Sequence, residues 1–373
     1  MKLEAMVLVV GGGPAGATAA RFLAESGVDV ILLERNLSFI KPCGGGLPLS
    51  AFEEFCIPKT MIKKEVKTIR IVSPQGERLD IELRGGSLII IERGEFDRAL
   101  RNKAGERGAK VIEGEFIRLI DDKIYRVEVN VEGVMTEIVS EYIIAADGVN
   151  SKVRTALGIK PSQAFLTVSE RIKGIKTEFC EFWFGSSHAP KFYSWVFPAT
   201  EGISAGTGSS EPGKINALFE RFKDRRGISQ GGQSPPCMLK RIYRMPIWKG
   251  DLYNKGKVIF AGDSAGQVMP LIYEGIYYAM KAGELAARAI IEEKVDNYKR
   301  MWKAKFQKRF TLMDKLRNYF LKADTSTEKL IALHRRPEIQ EASMRLWLRK
   351  DSSREGLKDY IRLFGKFLTP LQH

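Results

Sequence analysis

The chain has 373 residues and a formal net charge of +15. That length exceeds what one hydrophobic core usually organises, so we expect two closely joined domains or one domain with a long appendage. No apolar run approaches the roughly 18 residues of a membrane span, and no secretory leader is visible, which predicts a cytoplasmic protein. The four cysteines form no C-x-x-C pair and the three histidines are scattered, so neither a disulfide framework nor a metal site is predicted.

The first predicted element is a buried strand that ends at a glycine-rich turn. Residues 6–10 are apolar, and Gly11, Gly13 and Gly16 follow with the spacing G-x-G-x-x-G. A helical pattern and a second apolar strand come next. This order is typical of a dinucleotide-binding unit, in which the turn brings a pyrophosphate to the N-terminus of the helix.

Glu34 stands at the tip of the second strand, 18 residues after Gly16. A carboxylate at this position accepts hydrogen bonds from ribose hydroxyls and repels a 2'-phosphate. The sequence therefore predicts the adenosine half of FAD or NAD rather than NADP.

A second glycine cluster, at 41–48, is not another nucleotide motif, because no strand pattern precedes it. Three consecutive glycines let a backbone lie flat against a planar ring, and Cys43 among them would be held beside that ring. The alternative is a flexible loop with an incidental thiol.

Strand patterns dominate the middle of the chain. In order, the sequence predicts antiparallel strands within 66–91, a helix over 95–108, and strands over 109–119, 124–139 and 142–146. The last of these ends at Asp147-Gly148, and such a turn after a buried strand is where ligand-facing groups of an open α/β sheet collect.

A second strand-rich block covers 161–208. In its segment 191–197, alternation puts Tyr193, Trp195 and Phe197 on one face of a strand. An aromatic face of that width is either core or the wall of a long apolar pocket, and the pattern alone favours core.

A late buried strand ends at Gly262-Asp263 and is followed by a helix over 274–291. We expect this late turn to pack against the first nucleotide-binding unit, where it would complete the binding site for a long cofactor. The remaining residues are helical by period and carry no catalytic signature.

The C-terminal part, 291–373, holds 20 Lys and Arg against 11 Asp and Glu. An anionic membrane surface or an anionic lipid fits the aromatics interleaved with these charges, and a solvated helical face is the alternative. No nucleic-acid partner is expected, because no nucleic-acid-binding motif accompanies the charge.

Taken together, these motifs resemble the superfamily of FAD-dependent reductases and hydroxylases. The resemblance adds Arg93 before Phe96-Asp97, Ser151 after Asp147-Gly148, and the run from Gly262 to Gly266. Residues 190–198 also resemble the P-x-x-Y-x-W-x-F-P signature of geranylgeranyl reductases, nearest to the archaeal digeranylgeranylglycerophospholipid reductases. This resemblance implies a flavoenzyme that saturates isoprenoid double bonds, and it reverses the preference for core on the aromatic strand.

With the glycine motif, the resemblance implies FAD contacts at Gly11, Gly13, Pro14, Ala15, Gly16, Glu34, Arg35, Cys43, Gly44, Gly46, Arg93, Ile117, Asp147, Asp263, Gly275 and Ile276. It implies substrate contacts at Tyr193, Trp195, Phe197 and Trp183. The chain departs from the family at Tyr273, where a glycine is frequent, and at Ala282, where a serine is common.

The expected fold is mixed α/β, with a Rossmann-like FAD-binding domain and an interleaved antiparallel substrate domain. The predicted FAD-binding domain covers 1–160 and 237–293, with inserted strands at about 62–91. The predicted substrate sheet covers 161–236, and a helical region covers 294–373.

The implied reaction needs a proton as well as a hydride, because an isolated alkene has no carbonyl to take up charge. Cys43 and Tyr193 are the candidate acids, and the alternative is that Cys43 only shapes the flavin site while water supplies the proton.

The substrate would be a prenyl lipid or a prenyl diphosphate. The electron donor, NAD(P)H, ferredoxin or a quinol, has no motif of its own. Two other functions stay open at this point: an FAD-dependent monooxygenase of the same fold, and a flavin-bearing lipid-binding protein without turnover. The expected localisation is cytoplasmic, with peripheral membrane association as a further expectation.

Overall fold

The computed structural model describes residues 2–121, 124–228, 240–350 and 354–364. The chain forms two compact units. Unit 1 comprises Met1–Ile40, Gly94–Ala164 and Met245–Phe310. Unit 2 comprises Lys41–Arg93, Phe165–Arg244 and Thr311–His373.

The strands, in chain order, are β1 (Lys2–Val10), β2 (Val30–Glu34), β3 (Gly46–Pro48), β4 (Lys64–Val66), β5 (Thr68–Val72), β6 (Arg78–Glu82), β7 (Leu88–Ile90), β8 (Lys110–Glu113), β9 (Glu115–Asp121), β10 (Tyr125–Val131), β11 (Val134–Ala145), β12 (Ala164–Ile172), β13 (Cys180–Trp183), β14 (Ser194–Ala199), β15 (Gly202–Ser209), β16 (Arg241–Pro246), β17 (Asn254–Lys255) and β18 (Val258–Phe260).

The α-helices are α1 (Pro14–Glu25), α2 (Leu49–Glu54), α3 (Arg93–Glu106), α4 (Lys152–Ala156), α5 (Ile215–Arg226), α6 (Ile276–Ile291), α7 (Asn297–Trp302), α8 (Lys308–Phe320), α9 (Asp324–Leu333), α10 (Pro337–Trp347) and α11 (Arg354–Phe364). Short 3-10 helices lie at Lys59–Met61, Pro212–Lys214 and Gly262–Ala265, and a π-helical segment at Lys303–Gln307 joins α7 to α8. Among these helices, none is both long and apolar enough to cross a bilayer.

Unit 1 is built on a sheet in the order β17-β18-β11-β1-β2-β8, to which β10 and β9 are added beside β11. Pairing is parallel among β18, β11, β1, β2 and β8. The runs Val7–Val10 and Val30–Leu33 are buried throughout, as expected for parallel strands covered on both faces. The carboxyl ends of the five parallel strands lie at one edge of the sheet, where the glycine motif follows β1.

Unit 2 contains a seven-stranded sheet in the order β16-β12-β15-β14-β13-β5-β6 and a three-stranded sheet in the order β3-β7-β4. One face of the larger sheet packs on α5 through Val196, Ala205, Phe219 and Phe222. The other face carries the aromatic side chains of the 190–198 motif. The strands predicted within 66–91 are present but are shared between the two sheets, and β5 pairs with β13 in parallel.

Four predicted strands have different limits in the structure, and the one predicted over 142–146 is the end of β11. The strand predicted over 109–119 is two strands, because the chain turns at Gly114. The strand predicted over 124–139 is also two, separated by a hairpin at Glu132-Gly133 in which both residues have positive φ. The segment 191–197 becomes strand only at Ser194, since Lys191 adopts φ +58.

The predicted α/β FAD-binding fold is confirmed. The two compact units group the chain differently from the three predicted domains. Residues 41–93 and 311–373 fold with 165–244 in unit 2, and the predicted helical region 294–373 is divided after Phe310. Cys237 and His373 lie outside the described residues.

Candidate functional site

At the glycine turn of unit 1 the backbone packs too closely for side chains at Gly11 and Gly16, whereas the space beside Gly13 is open. Gly11 adopts φ +102, and a Cβ placed on it would be 2.8 Å from Asp147 Cα. A Cβ on Gly16 would overlap the carbonyl oxygen of Gly11, so the helix can approach the turn only with glycine there. In contrast, no described atom lies within 4 Å of a Cβ placed on Gly13. The space above the N-terminus of α1 is therefore open, as a bound pyrophosphate requires.

Glu34 is oriented by the turn that it faces. Its Oε2 accepts a hydrogen bond from the backbone N–H of Gly12 at 2.6 Å, and Oε1 accepts one from Asn36 at 3.1 Å. Each carboxylate oxygen keeps a further lone pair, so ribose hydroxyls can still bind. This geometry fits the adenosine end of FAD.

The late Gly262-Asp263 turn returns to the same helix, as predicted. A Cβ on Gly262 would be 3.1 Å from Ala15 Cβ, and one on Gly283 of α6 would overlap the Ala15 carbonyl oxygen. Asp263 Oδ1 lies 3.9 Å from the Cβ position of Gly275, immediately before Ile276 begins α6. The structure thus brings the early and late parts of the predicted cofactor set together within unit 1.

Asp147 borders Gly11 and also caps a short helix. Its Oδ2 accepts the N–H of Val153 at 3.2 Å. Burial raises the pKa of the Asp147 carboxyl, and hydrogen bonds from Ser151 and Val153 oppose that rise. Asp147 therefore helps to shape the turn.

Arg35 and Ile117 lie at the periphery of unit 1. The Arg35 guanidinium stands 6.0 Å from the Phe39 ring. Ile117 is exposed on β9, two residues from Glu115, whose pKa is lowered by hydrogen bonding to Lys152 and, less strongly, by the charge of Arg35.

Arg101 was missed by sequence reasoning. Its Nη1 donates to the Gly12 carbonyl at 3.2 Å and its Nη2 to the Leu37 carbonyl at 2.7 Å, so it fixes both flanks of Glu34. The guanidinium side chain is only 6% exposed. The sequence did contain a signal for this role, because Asp97 and Arg101 are charged residues at core-facing positions of the amphipathic helix α3, where apolar residues are expected.

In unit 2, the second glycine cluster is folded against β7. Gly46 pairs with Ile90, and Gly45 accepts the N–H of Ile91 at 2.9 Å. Arg93 follows directly, and its Nη1 lies 3.7 Å from Cys43 Sγ. Arg93 is 4% exposed, whereas Cys43 is half-buried. The cysteine is therefore held beside a buried cation.

The glycine cluster lies directly against the aromatic strand. A Cβ on Gly44 would stand 3.3 Å from Trp195 Cδ1, and one on Gly46 would stand 3.2 Å from Phe197 Cε2. Trp195 also covers Gly206 of the neighbouring strand β15. The structure thus brings Cys43, Gly44 and Gly46 to the face that carries Trp195 and Phe197.

Phe182 joins the predicted aromatic residues into one surface. Its ring is 5.2 Å from Tyr193, 5.2 Å from Phe197 and 6.1 Å from Trp347, all at T-shaped angles. Trp347, at the end of α10, is half-exposed. We call Phe182, Tyr193, Trp195, Phe197 and Trp347 the aromatic surface of the sheet; its members Tyr193, Trp195 and Phe197 are buried, at 6–9% exposure. Phe182 could have been found from strand alternation, but Trp347 belongs to a region with no motif.

Trp183 does not belong to the aromatic surface. It packs on the opposite face of the sheet, 6.0 Å from the Phe222 ring, and its Nε1 donates to Glu181 at 2.7 Å. The reason is that Phe182 of β13 pairs with Trp195 and shares its face. Because side chains alternate along a strand, the next residue, Trp183, points to the opposite face. Trp183 therefore lies in the core between the sheet and α5, on the face opposite to the other three predicted substrate contacts.

The segment before α6 is strained at two buried positions. Leu271 adopts φ +71 and Tyr273 adopts φ +50, a region that non-glycine residues rarely occupy. Tyr273 stands two residues before the predicted FAD contact at Gly275. The tyrosine that departs from the family pattern therefore occupies a backbone conformation suited to glycine.

Within the described ranges, no group of three or more His, Cys, Asp or Glu side chains is arranged to hold a metal ion. The chemistry available to this chain is instead that of a nucleotide-binding turn, a cysteine beside a buried arginine, and an extended aromatic surface.

The chain matches the FAD binding domain family over residues 4–203. It is 33% identical to digeranylgeranylglycerophospholipid reductase 2 of Methanothermobacter thermautotrophicus, over 95% of this chain and 96% of that protein. It is 29% identical to the geranylgeranyl diphosphate reductase of Rhodobacter capsulatus, over 94% of this chain and 92% of that protein.

A solved structure of a geranylgeranyl bacteriochlorophyll reductase-like protein from Thermoplasma acidophilum has the same fold, with a TM-score of 0.83 and 23% identity over 99% of this chain and 98% of that one. The matches to the two reductases extend over 94–95% of the chain. FAD is the cofactor that the matched domain binds, and the chain belongs to the geranylgeranyl reductase family of FAD-dependent oxidoreductases.

Proposed function

We propose that this protein saturates carbon–carbon double bonds in the prenyl chains of isoprenoid lipids or prenyl diphosphates, using FAD. The observation that carries the proposal is the packing of the Cys43 loop against Trp195 and Phe197. This packing supports the proposal, because Cys43 precedes Gly44 in the loop and reduction of an isolated alkene requires a proton donor beside an apolar surface.

Reduced FAD, when bound, supplies a hydride to one carbon of the double bond. The chain must then deliver a proton to the other carbon. Cys43 is the first candidate donor, because its thiol carries a proton and Arg93 Nη1 stands 3.7 Å from its sulfur. Its loop also packs against Trp195 and Phe197. Tyr193 is the second candidate, because it lies on the aromatic surface.

The aromatic surface is proposed to hold the prenyl chain. Burial of apolar area contributes about 25 cal/mol per Å², and aromatic rings offer that area with few rotatable bonds. Tyr193, Trp195 and Phe197 would form its inner part. Phe182 and Trp347 would extend it outward, which gives helix α10 a part in substrate binding.

The decisive experiment is mass spectrometry of prenyl lipids after incubation with dithionite-reduced protein. A digeranylgeranyl glycerophospholipid and geranylgeranyl diphosphate are offered in separate reactions, and each product should gain two hydrogens per reduced bond. Gain of oxygen under air, matched by oxygen consumption, would instead identify a monooxygenase. Binding of lipid without reoxidation of the flavin would identify a binding protein.

The protein is further proposed to act at an anionic membrane surface. Lys299, Arg300, Lys303, Lys305 and Lys308 are exposed along the helix formed by α7, the π-helical segment and the start of α8. Basic residues near an anionic bilayer contribute roughly 1 kcal/mol each. These side chains are long enough to reach lipid head groups while the aromatic residues between them stay buried.

Liposome flotation tests this surface. The variant Lys303→Glu/Lys305→Glu/Lys308→Glu should lose binding to anionic vesicles, and high salt should have the same effect on the native chain. The control Lys59→Glu/Lys110→Glu/Lys214→Glu changes net charge equally at exposed positions elsewhere. Equal binding of the native chain to neutral and anionic vesicles at any salt concentration would make the basic helix a solvated face only.

A further inference from the structure

A closed ring of buried hydrogen bonds lies behind the aromatic surface, within unit 2. His188 Nδ1 is 2.8 Å from Ser194 Oγ, which donates to Thr207 Oγ1 at 2.8 Å. Thr207 Oγ1 in turn donates to the carbonyl oxygen of His188 at 2.7 Å. All three residues are 0% exposed.

The ring fixes the protonation of the histidine. Ser194 has one hydroxyl proton and gives it to Thr207, so its oxygen must accept the proton of His188 Nδ1. Burial lowers the pKa of His188 to about 4, so near pH 7 the imidazole is neutral, its proton is on Nδ1, and Nε2 carries a lone pair. That nitrogen is buried and has no hydrogen-bond partner among the described residues.

The ring stands directly behind the side chains proposed to bind substrate. Ser194 lies between Tyr193 and Trp195, and Thr207 lies between Gly206 and Gly208. Trp195 covers Gly206 on the aromatic side of the sheet. Because side chains alternate along a strand, the ring secures β14 against β15 from one face while the aromatic residues project from the other.

We propose that His188 is a positioning residue that holds the backbone of β14 in the register and twist needed to present Tyr193 and Trp195 to the prenyl chain. This inference rests on the proposed function. An apolar residue at 188 would avoid burying an unpaired nitrogen. The polar ring therefore does more than fill space: its directional hydrogen bonds favour one defined arrangement of β14 and β15.

The test compares His188→Leu and Thr207→Val, which break the ring, with His188→Asn, whose amide N–H can replace the Nδ1 donor. The matched control is Thr327→Val, which removes another buried hydroxyl of unit 2, one that donates to the Phe320 carbonyl at 2.8 Å away from the sheet. The measurements are the melting temperature, FAD occupancy, and kcat and KM for reduction of the prenyl substrate.

We expect both ring-breaking variants to raise KM about tenfold, equivalent to about 1.4 kcal/mol, while FAD occupancy is retained. The double variant His188→Leu/Thr207→Val should raise KM no more than either single substitution does, because the three groups form one hydrogen-bonded unit. His188→Asn should restore KM to within about threefold of the native value. Thr327→Val should lower the melting temperature without moving KM.

If His188→Leu does not fold, Thr207→Val and Ser194→Ala carry the same test. Native KM in those variants, with a melting temperature lowered as in Thr327→Val, would overturn the inference and leave the ring a stabilising contact only. Failure of the native protein to reduce any prenyl substrate would instead overturn the proposed function, so the two failures are distinguishable.

Discussion

Gly44 lies so close to Phe197 that a Cβ placed on it would stand 2.6 Å from Phe197 Cδ2. Ordinary contacts begin near 3.4 Å, so Gly44→Ala must displace the ring or the loop that carries Cys43. We expect kcat/KM for prenyl reduction to fall at least about tenfold, because a small displacement at a reacting centre is costly. Gly213→Ala is the control, since no described atom lies within 4 Å of its Cβ position. Native kinetics in Gly44→Ala would show that the contact between this loop and Phe197 does not matter for prenyl reduction.

Glu34→Lys should abolish retention of FAD, because it places a cation where the ribose hydroxyls need an acceptor and removes the acceptor for Gly12. Flavin absorbance after gel filtration measures the occupancy. Glu113→Lys is a close control, because Glu113 pairs with Glu34 in the next strand and is exposed. Full occupancy in Glu34→Lys would show that the nucleotide binds elsewhere.

Cys43→Ala should keep FAD yet lose prenyl reduction by about 10² to 10⁴, the usual contribution of a positioned proton donor. Photoreduction of the flavin should change much less, since only protonation of the substrate is removed. Cys56→Ala, at an exposed cysteine, should leave both unchanged. An unaltered reduction rate in Cys43→Ala would assign the proton to Tyr193 or to solvent.

Tyr273→Gly should lower the melting temperature, because losing a buried aromatic side chain costs about 3 to 5 kcal/mol, more than the roughly 1 kcal/mol that glycine saves at φ near +50°. The same change should alter which prenyl substrates are reduced, since Tyr273 is buried next to the predicted FAD contact at Gly275. Glu293→Gly is the control: Glu293 has φ +53 but is exposed just after α6. It should raise the melting temperature slightly with no change in substrate preference. A raised melting temperature in Tyr273→Gly would mean that the backbone conformation costs more than the side chain contributes.

Acidification should destabilise the native state between about pH 6.5 and pH 4. Burial, helped by the charge of Arg225 and opposed by that of Asp324, lowers the pKa of His188 from 6.5 to about 4. In that interval the unfolded chain binds a proton that the folded chain does not, so the free energy of unfolding falls by at most about 3 kcal/mol as pH decreases. Burial lowers the pKa of His334 too, which adds in the same direction.

Denaturant unfolding at several pH values measures this slope, and His188→Asn should reduce it because asparagine does not titrate. A slope that is unchanged in His188→Asn would place the pH dependence on other groups.

The nucleotide half of the site could be predicted largely from local sequence. The spacing of Gly11, Gly13 and Gly16, the strand before them and the carboxylate of Glu34 form one continuous segment whose geometry follows from short-range sterics and the helix N-terminus. The alternation of the aromatic strand likewise predicted that Trp195 and Phe197 share a face. Periodicity of this kind depends only on neighbouring residues, so it can be recognised without knowing the fold.

The tertiary structure decided which of those faces meet. The contact between Gly44 and Phe197 and the bonds from Arg101 to the flanks of Glu34 join residues far apart in sequence, through pairings that no local pattern encodes. Trp183 shows the limit most directly. Alternation could say only that it and Phe182 point in opposite directions, and the pairing of Phe182 with Trp195 chose which one joins the aromatic surface. Side-chain direction is local, but the register of strands that fixes it depends on burial of whole faces of a sheet.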